Sequence, residues 1–394
     1  MPTEKLAMLK NARTSLIALG HLVTDVNQGA LPALLPFLIA EHSLSYTAAA
    51  SLIFVSNASS SLIQPVFGYF ADRLSKPILM PIGIFLAGLG MALMGLVHGY
   101  GLLLALAALS GIGIAAFHPE GARTINRIGG EKKAMAMSLF GVGGNLGFAF
   151  GPAVMTAALL ACGMKGTLFL ILPALAVALW IFFRIPSLLR DDTAAKKAAA
   201  EALGEKPKDR WMPFARLAGV VTCRSILSYG LNTFIPLYWI FVLNQSKAAG
   251  SGALTVMYIA GLIGTLIGGR LADRYGSRRI MLAGYGSLVL TFPLFLMTEN
   301  ALALTLLLIP IGMGIFAPFG PMVVLGQKYL PTRVGLASGV TLGLAISIGG
   351  VAAPVLGYIA DGHGIYWALA SMIGIPAALT LLSWSLPEEK EAKA

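Results

Sequence analysis

Two ionisable side chains, His21 and Asp25, lie four residues apart in an apolar run near the start of the chain. Residues at positions i and i+4 of a helix share a face, so we expect the imidazole and the carboxylate to meet. Removing a carboxylate from water favours its protonated form. The pair is therefore a candidate for binding and releasing a proton, and a structural carboxylate held by a neighbouring helix is the alternative for Asp25. Neighbouring Asn27 and Gln28 are candidate polar ligands.

A second charged side chain, Arg224, interrupts an apolar run in the other half of the chain. Charges in such runs are rare and usually face a partner, a cavity or a ligand. Arg224 is predicted to bind an anionic ligand or to release Asp25 when that carboxylate is protonated. A permanent structural ion pair is the alternative. Tyr229 and Asn232 follow on the same predicted helix and are candidate pocket residues.

A third group, His118, Glu120 and Arg123, closes another apolar run and includes the helix-loosening Pro119. The imidazole and the carboxylate favour a role in proton relay or cytoplasmic gating, and an interfacial salt bridge is the alternative. Arg123 is also a candidate substrate ligand. One imidazole and one carboxylate are too few ligands for a metal, so no metal site is predicted. Asn145 is a further polar candidate for lining a cavity.

The composition identifies the surroundings in which these groups must work. The chain is 57% hydrophobic and 11% charged, with a mean hydropathy of +0.80. Soluble domains carry roughly 25% charged residues, so a bilayer is the expected solvent. The net charge of +11 does not indicate nucleic acid, because the cations fall in short segments between apolar runs.

The apolar runs predict twelve membrane-spanning helices of about 20 residues or more. Cations concentrate in alternate connecting segments, which predicts that both termini and the central segment are cytoplasmic. The predicted helices cover residues 15–38, 47–70, 77–97, 101–122, 133–161, 167–187, 212–243, 251–270, 280–298, 301–325, 334–360 and 364–386.

A duplicated signature predicts two similar halves. A G-x-x-x-D-R sequence occurs twice, 201 residues apart, and the Gly111-x-Gly113 sequence recurs as Gly312-x-Gly314 at the same offset. We therefore expect an all-α membrane fold with two six-helix bundles, residues 1–187 and 212–394, joined by a charged linker, 188–211. The signature is predicted to close a cytoplasmic gate in which its glycines let two helices meet closely, and a simple tight turn is the alternative. The residues of this predicted gate are Gly68, Asp72, Arg73, Gly269, Asp273, Arg274 and Arg278.

Twelve spans in two halves with this repeated motif resemble the major facilitator superfamily along the whole chain. The second copy, with Gly276, Arg278 and Arg279, matches that superfamily's loop motif in full, whereas the first copy lacks the final glycine and basic pair. Gly147, Gly151 and Pro152 resemble the helix-kink motif of its antiporters, although a simple packing kink is the alternative.

Three further segments narrow the resemblance. They are the segment from His21 to Asp25, the sequence Phe-His-Pro-Glu at 117–120 with Arg123, and the glycine-rich stretch from 330 to 339 with Gly357 and Asp361. Together they resemble the fosmidomycin resistance protein group of bacterial exporters. This resemblance implies a proton-coupled antiporter that expels a small, often anionic compound.

The sequence also restricts the alternatives. It has no Walker motif and no visible hydrolase or metalloprotease spacing, so we expect neither an enzyme nor an ATP-driven pump, and no cofactor besides the proton gradient. The expected partners are a small molecule, protons and the bilayer, and one chain suffices for the architecture. An importer or uniporter of an organic anion or nutrient, and a non-transporting receptor or scaffold, remain open.

Overall fold

The computed structural model describes residues 12–73, 77–128, 133–188, 208–331, 337, 340–341 and 350–388. Most of the predicted linker and part of the predicted eleventh span lie outside these ranges. The side chains of Asp72, Arg73 and Asp273 are also outside the described set. The described part is helical throughout, which confirms the all-α prediction.

The first half begins with a long helix that contains Pro32 and Pro36 and carries Asp25 near its middle. An eight-residue 3-10 segment, Gly163–Leu170, separates the last two helices of this half. The six helices are α1 (Ala12–His42), α2 (Tyr46–Arg73), α3 (Leu79–Leu93), α4 (Tyr100–Ile128), α5 (Lys133–Cys162) and α6 (Ile171–Leu188).

The second half repeats this order, with two predicted spans, 301–325 and 364–386, each divided into two helices. The predicted helix at 301–325 divides at Ala317 and Pro318, where proline cannot supply a backbone N–H. The helices are α7 (Trp211–Phe241), α8 (Lys247–Tyr275), α9 (Ser277–Leu296), α10 (Ala301–Phe316), α11 (Phe319–Tyr329), α12 (Ala352–His363), α13 (Ile365–Ala370) and α14 (Ile375–Trp384).

Eight helical stretches of the described residues are long and apolar enough to cross a membrane. Their surfaces carry many large exposed apolar side chains, such as Phe183, Leu290 and Met297. Exposed apolar surface on this scale is what lipid would cover. The chain is therefore a multi-pass membrane protein.

The repeated glycines make the same contact in each half. A methyl group on Gly113 would lie 2.6 Å from the carbonyl oxygen of Gly83, and one on Gly314 would lie 2.8 Å from that of Gly284. Gly111 and Gly312 likewise leave no room for a side chain against Ser56 and Met257. Each pair of partners is again 201 residues apart, so the duplication extends from the sequence to the helix crossings.

The chain divides into two compact units. Unit 1 comprises Met1–Leu31 and Val55–Glu205, and unit 2 comprises Pro32–Phe54 and Lys206–Ala394. The boundary after residue 205 falls in the predicted linker. The segment Pro32–Phe54 differs from the predicted division, because the end of α1 and the start of α2 pack with the second half of the chain.

The core of unit 1 lies between α1, α3, α4 and α6 and surrounds the polar residues of α1. Its fully buried members include Ile17, Ile84, Phe117 and Ile181. Helix α3 packs closely on α4 and on α6, and in unit 2 helix α10 packs on α8 and α9. These crossings fix the height and rotation of the helices that carry the ionisable groups.

Candidate functional site

The ionisable residues of α1 and α4 meet in one cluster inside unit 1. His21 Nε2 lies 3.1 Å from Asp25 Oδ2, which confirms the predicted contact along α1. His118 Nε2 of α4 lies 3.1 Å from Asp25 Oδ1 and 3.1 Å from His21 Nε2. Asp25 is 3% exposed, so this carboxylate depends on the two imidazoles for its polar contacts.

Helix α5 supplies the wall that orients His21. The Nδ1 of His21 lies 2.7 Å from the carbonyl oxygen of Phe140, and the Phe140 ring stacks on the imidazole with centroids 3.9 Å apart. Because a carbonyl oxygen only accepts hydrogen bonds, Nδ1 must carry a hydrogen. A neutral His21 would then present a lone pair at Nε2.

The hydrogen-bond pattern determines how many protons the cluster holds. A neutral His21 and an ionised Asp25 would place two lone pairs against each other at 3.1 Å. A proton on His21 Nε2 or on Asp25 Oδ2 converts this contact into a hydrogen bond. The Nε2–H of His118 then donates to Asp25 Oδ1. The observed contacts therefore fit a cluster with one more proton than an ionised carboxylate and two neutral imidazoles.

The same three residues are relevant to the predicted absence of a metal site. The ligand atoms of His21, Asp25 and His118 all lie within 4.8 Å of one another. The prediction of no metal site considered only two ligands, His118 and Glu120, whereas this cluster offers three. Three protein ligands are the number that a catalytic zinc ion takes. We interpret the cluster as a proton site because its three edges have hydrogen-bond lengths, and a divalent cation would compete for the same atoms.

Glu120 points away from the cluster to the start of α3. Its carboxylate accepts a hydrogen bond from the backbone N–H of Leu79 at 3.2 Å, and Arg123 Nη1 lies 3.7 Å from it. A carboxylate at a helix N-terminus satisfies unpaired N–H groups and the helix dipole. Glu120 thus has a local structural role, and its part in a proton relay stays a prediction.

The polar residues near Asp25 have helix-packing partners. Gln28 Nε2 donates to Asn57 Oδ1 of α2 at 2.6 Å, and Asn27 Nδ2 donates to the Val23 carbonyl at 2.8 Å. The side-chain oxygen of Asn27 is buried and accepts no hydrogen bond among the described residues. Asn145 is half-buried on α5. Contact of these residues with a substrate stays a prediction.

Arg224 is buried in unit 2 at the break between α10 and α11. It is 5% exposed, and its Nε donates to the Ile315 carbonyl at 2.8 Å. The guanidinium lies over the rings of Phe316 and Phe319, with centroids 5.3 and 5.0 Å away. The predicted pairing of Arg224 with Asp25 joins residues of different units and stays a prediction.

The other predicted pocket residues of α7 lie one or two turns from Arg224. Asn232 is buried and accepts a hydrogen bond from the Tyr258 hydroxyl at 2.6 Å. Tyr229 is half-buried and lies within electrostatic range of Arg224. The contact between Asn232 and Tyr258 joins α7 to α8.

The glycines of the predicted gate do not sit at close helix contacts. Among the described residues, a methyl group on Gly269 would meet no atom within 4 Å, and one on Gly68 would lie 3.8 Å from Pro119 Cβ. The expectation that these two glycines let helices approach closely was therefore wrong for this conformation. Arg278 Nη1 pairs with Glu388 at 2.8 Å, and Arg274 lies over Tyr275. The gating role stays a prediction.

Two glycines of the predicted helix-kink motif on α5, Gly147 and Gly151, pack closely against α1. A methyl group on Gly151 would lie 2.6 Å from the Val26 carbonyl oxygen, and one on Gly147 would lie 2.8 Å from Asp25 Cβ. Pro152 lies inside α5, which continues past it as a helix. The motif therefore brings the backbone of α5 against the part of α1 that carries the proton cluster.

Several site residues have no signal in the sequence pattern. Phe140 contributes its backbone carbonyl, which every residue has. Gly144 leaves space for the cluster, because a methyl group there would lie 2.6 Å from His21 Nε2 and 2.7 Å from Asp25 Oδ2. Phe316 and Phe319 are two of many apolar residues in the sequence. A charge inside an apolar run is visible in a sequence, whereas the uncharged atoms around it are not. The position of Gly144 three residues before Gly147 is the one clue that could have drawn attention to it.

Comparisons with known proteins agree with this architecture. A family model described as Major Facilitator Superfamily matches residues 17–354. The chain is 30% identical over 388 residues to the uncharacterized MFS-type transporter YfnC of Bacillus subtilis (strain 168), covering 96% of this chain and 93% of the relative. It is also 30% identical over 398 residues to the fosmidomycin resistance protein of Escherichia coli (strain K12), covering 98% and 96%.

Solved structures share the fold at low sequence identity. A bacterial homolog of the human lysosomal transporter Spinster, inward-facing and occupied, has a TM-score of 0.75 at 14% identity, with 95% of both chains covered. The nucleoside transporter NupG has a TM-score of 0.76 at 13% identity, covering 95% of this chain and 99% of that one. At such identities the likeness concerns the fold alone.

Proposed function

The chain belongs to the major facilitator superfamily of transporters, and we propose that it is a proton-coupled antiporter that exports a small organic anion by alternating access. The cluster of His21, Asp25 and His118 carries this proposal. Asp25 is buried, the cluster lies on the helices of one unit, and its contacts fit one proton held between His21 and Asp25. A bacterial inner membrane with cytoplasmic termini is the setting that the cation distribution favours.

Loss of that proton supplies the coupling step. An ionised Asp25 next to the lone pair of a neutral His21 is repulsive, and the Phe140 carbonyl prevents His21 from exposing its other nitrogen without breaking a hydrogen bond. The deprotonated cluster must therefore change its geometry. Because α5 packs against α1 at Gly147 and Gly151, a shift of the cluster is transmitted to helix positions.

The direction of transport is inferred from the second relative. A membrane transporter that is named for resistance to a compound is expected to expel it, and the same direction is proposed for this chain. In the proposed cycle, Asp25 takes a proton from the periplasmic side as the substrate leaves. The proton then exits to the cytoplasm, with His118 as the first group of the path.

Transport by purified protein in liposomes tests the proposal, with fosmidomycin as the probe and a pH-sensitive dye inside. Wild-type protein should move fosmidomycin against its gradient when a pH gradient is imposed. Asp25→Asn should lose this driven transport and keep exchange of labelled for unlabelled fosmidomycin, because solute exchange needs no net proton movement. Glu41→Gln, which removes an exposed carboxylate at the end of the same helix, is the matched control.

The remaining hypotheses give different outcomes. Full gradient-driven transport by Asp25→Asn would sink the proton-site assignment. Fosmidomycin movement that ignores the pH gradient in the wild-type protein would favour a uniporter, and accumulation toward the cytoplasmic side would favour an importer. If no tested anion causes proton flux or exchange, the receptor or scaffold hypothesis is the one left.

A further inference from the structure

The buried guanidinium of Arg224 lies at the break between α10 and α11, where backbone groups lack their usual helical hydrogen-bond partners. Proline at 318 has no N–H, so the final turn of α10 cannot continue its hydrogen bonds into α11. The missing N–H would have served the Gly314 carbonyl, and the neighbouring Ile315 carbonyl of the same turn takes the Nε hydrogen of Arg224. Broken membrane helices of this kind form solute sites in many transporters, because their ends present unpaired backbone groups.

The contacts of Arg224 leave one edge of its guanidinium unused. Nε is bound to Ile315, and two aromatic rings, Phe316 and Phe319, lie against the group. Among the described residues, neither Nη1 nor Nη2 forms a hydrogen bond, and no carboxylate of unit 2 forms an ion pair with Arg224. A charged group that is 95% removed from solvent is costly to leave without an anion.

The geometry of that free edge selects the ligand. Nη1 and Nη2 form a planar fork of N–H donors that matches two oxygens of a carboxylate or phosphonate, whereas a lone neutral acceptor uses half of it. The positive end of α11, an eleven-residue helix, begins at Phe319, whose ring touches the guanidinium. The Tyr229 hydroxyl forms no hydrogen bond among the described residues and lies within electrostatic range of Arg224.

We propose that Arg224, at the break between α10 and α11, is the oxyanion subsite of the substrate, and that it binds a carboxylate or phosphonate group through Nη1 and Nη2. The Nε bond to Ile315 and the rings of Phe316 and Phe319 hold the fork in one orientation. Tyr229 supplies a further hydroxyl donor. This inference deepens the proposed export of an anion, but binding is measured without transport, so the two can fail separately.

Calorimetry on the full chain in phosphatidylcholine nanodiscs tests the subsite with propylphosphonate and butyrate. Wild-type protein should bind both anions and show no heat with butan-1-ol, which lacks the charge. Arg224→Gln should weaken anion binding by roughly tenfold or more, the size of a charge-assisted hydrogen bond. Arg216→Gln, which alters an exposed arginine on the same helix, should bind like the wild type.

A second variant and a second lipid composition distinguish the remaining explanations. If Arg224→Gln does not fold, Arg224→Lys retains the charge but not the fork, and it should still bind propylphosphonate several-fold more weakly than the wild type. Nanodiscs that contain phosphatidylglycerol separate a soluble anion from a lipid phosphate, because a lipid occupant would compete with propylphosphonate. Equal binding by wild type and Arg224→Lys, or wild-type binding of butan-1-ol as tight as butyrate, would overturn the proposal.

Discussion

Thr47, in the first turn of α2, donates its backbone N–H to the carboxylate of Asp361 near the end of α12, at 2.9 Å. The Thr47 hydroxyl and the Tyr46 N–H donate to the same carboxylate. One turn earlier, Gly357 packs so closely that a methyl group there would lie 2.7 Å from Thr47 Cα. The spacing Gly-x-x-x-Asp of the duplicated signature thus occurs a third time, and here it joins two helix ends within unit 2.

Replacing Asp361 should loosen the start of α2. Asp361→Asn keeps one acceptor oxygen but removes the charge that stabilises the first N–H groups of the helix. We expect faster hydrogen exchange at residues 46–50 than in the wild type, measured by mass spectrometry in detergent. His363→Gln, an exposed neighbour, is the control, and equal exchange in all three proteins would contradict the role of the carboxylate.

The same contact should not respond to pH near neutrality. Burial raises the pKa of Asp361, but the hydrogen bonds from Thr47 and Tyr46 outweigh it and hold the pKa below its ordinary value of 3.8. A lowered pKa means that the contact is fully stabilising above 3.8 and is lost as the pH falls through the lowered value. Once corrected for the intrinsic pH dependence of exchange, protection at residues 46–50 should be constant between about pH 5 and 8.

Adding one methyl group to the wall of the proton cluster should uncouple transport. A Cβ at Gly144 would lie 2.6 Å from His21 Nε2 and 2.7 Å from Asp25 Oδ2, so Gly144→Ala must shift these side chains and disturb their contact. We expect loss of fosmidomycin transport driven by a pH gradient with retained solute exchange. Gly141→Ala is the control on the same helix, because a methyl group there meets no atom of the described residues within 4 Å, and it should behave as the wild type.

The duplicated helix crossings should be equally intolerant of side chains. Alanine usually stabilises a helix by roughly 0.5–1 kcal/mol relative to glycine. At Gly111 and Gly312 the added methyl group would collide with the backbone of Ser56 and Met257, and overpacking of this kind costs about 1–3 kcal/mol. Both substitutions should lower the unfolding temperature in detergent. Gly286→Ala should not, because a methyl group there meets no atom of the described residues within 4 Å.

The buried hydroxyl of Tyr258 should stabilise the folded protein more than the hydroxyl of an exposed tyrosine does. It donates to Asn232 at 2.6 Å in the buried contact between α7 and α8. Tyr258→Phe leaves the Asn232 oxygen unpaired, which costs about 1–3 kcal/mol of unfolding free energy. Thermal unfolding should show this loss, while Tyr366→Phe, on an exposed residue, should leave the unfolding temperature within error of the wild type. An unchanged midpoint for Tyr258→Phe would mean that water replaces the hydroxyl.

The sequence by itself determined the helices, their duplication and the contact between His21 and Asp25. These features depend on local periodicity and on composition, since apolar runs must span the bilayer and residues four apart share a helix face. The cost of charge in such surroundings also identified Asp25 and Arg224 as residues that need a partner.

Only the tertiary structure decided what those partners are. His118 joins the cluster from 93 residues away, and Thr47 meets Asp361 across 314 residues. The Phe140 carbonyl, the bare backbone of Gly144 and the rings beside Arg224 act through atoms that most residues possess, so their types do not distinguish them. Such contacts depend on how closely and at what height two helices cross, which small residues allow but sequence spacing does not encode.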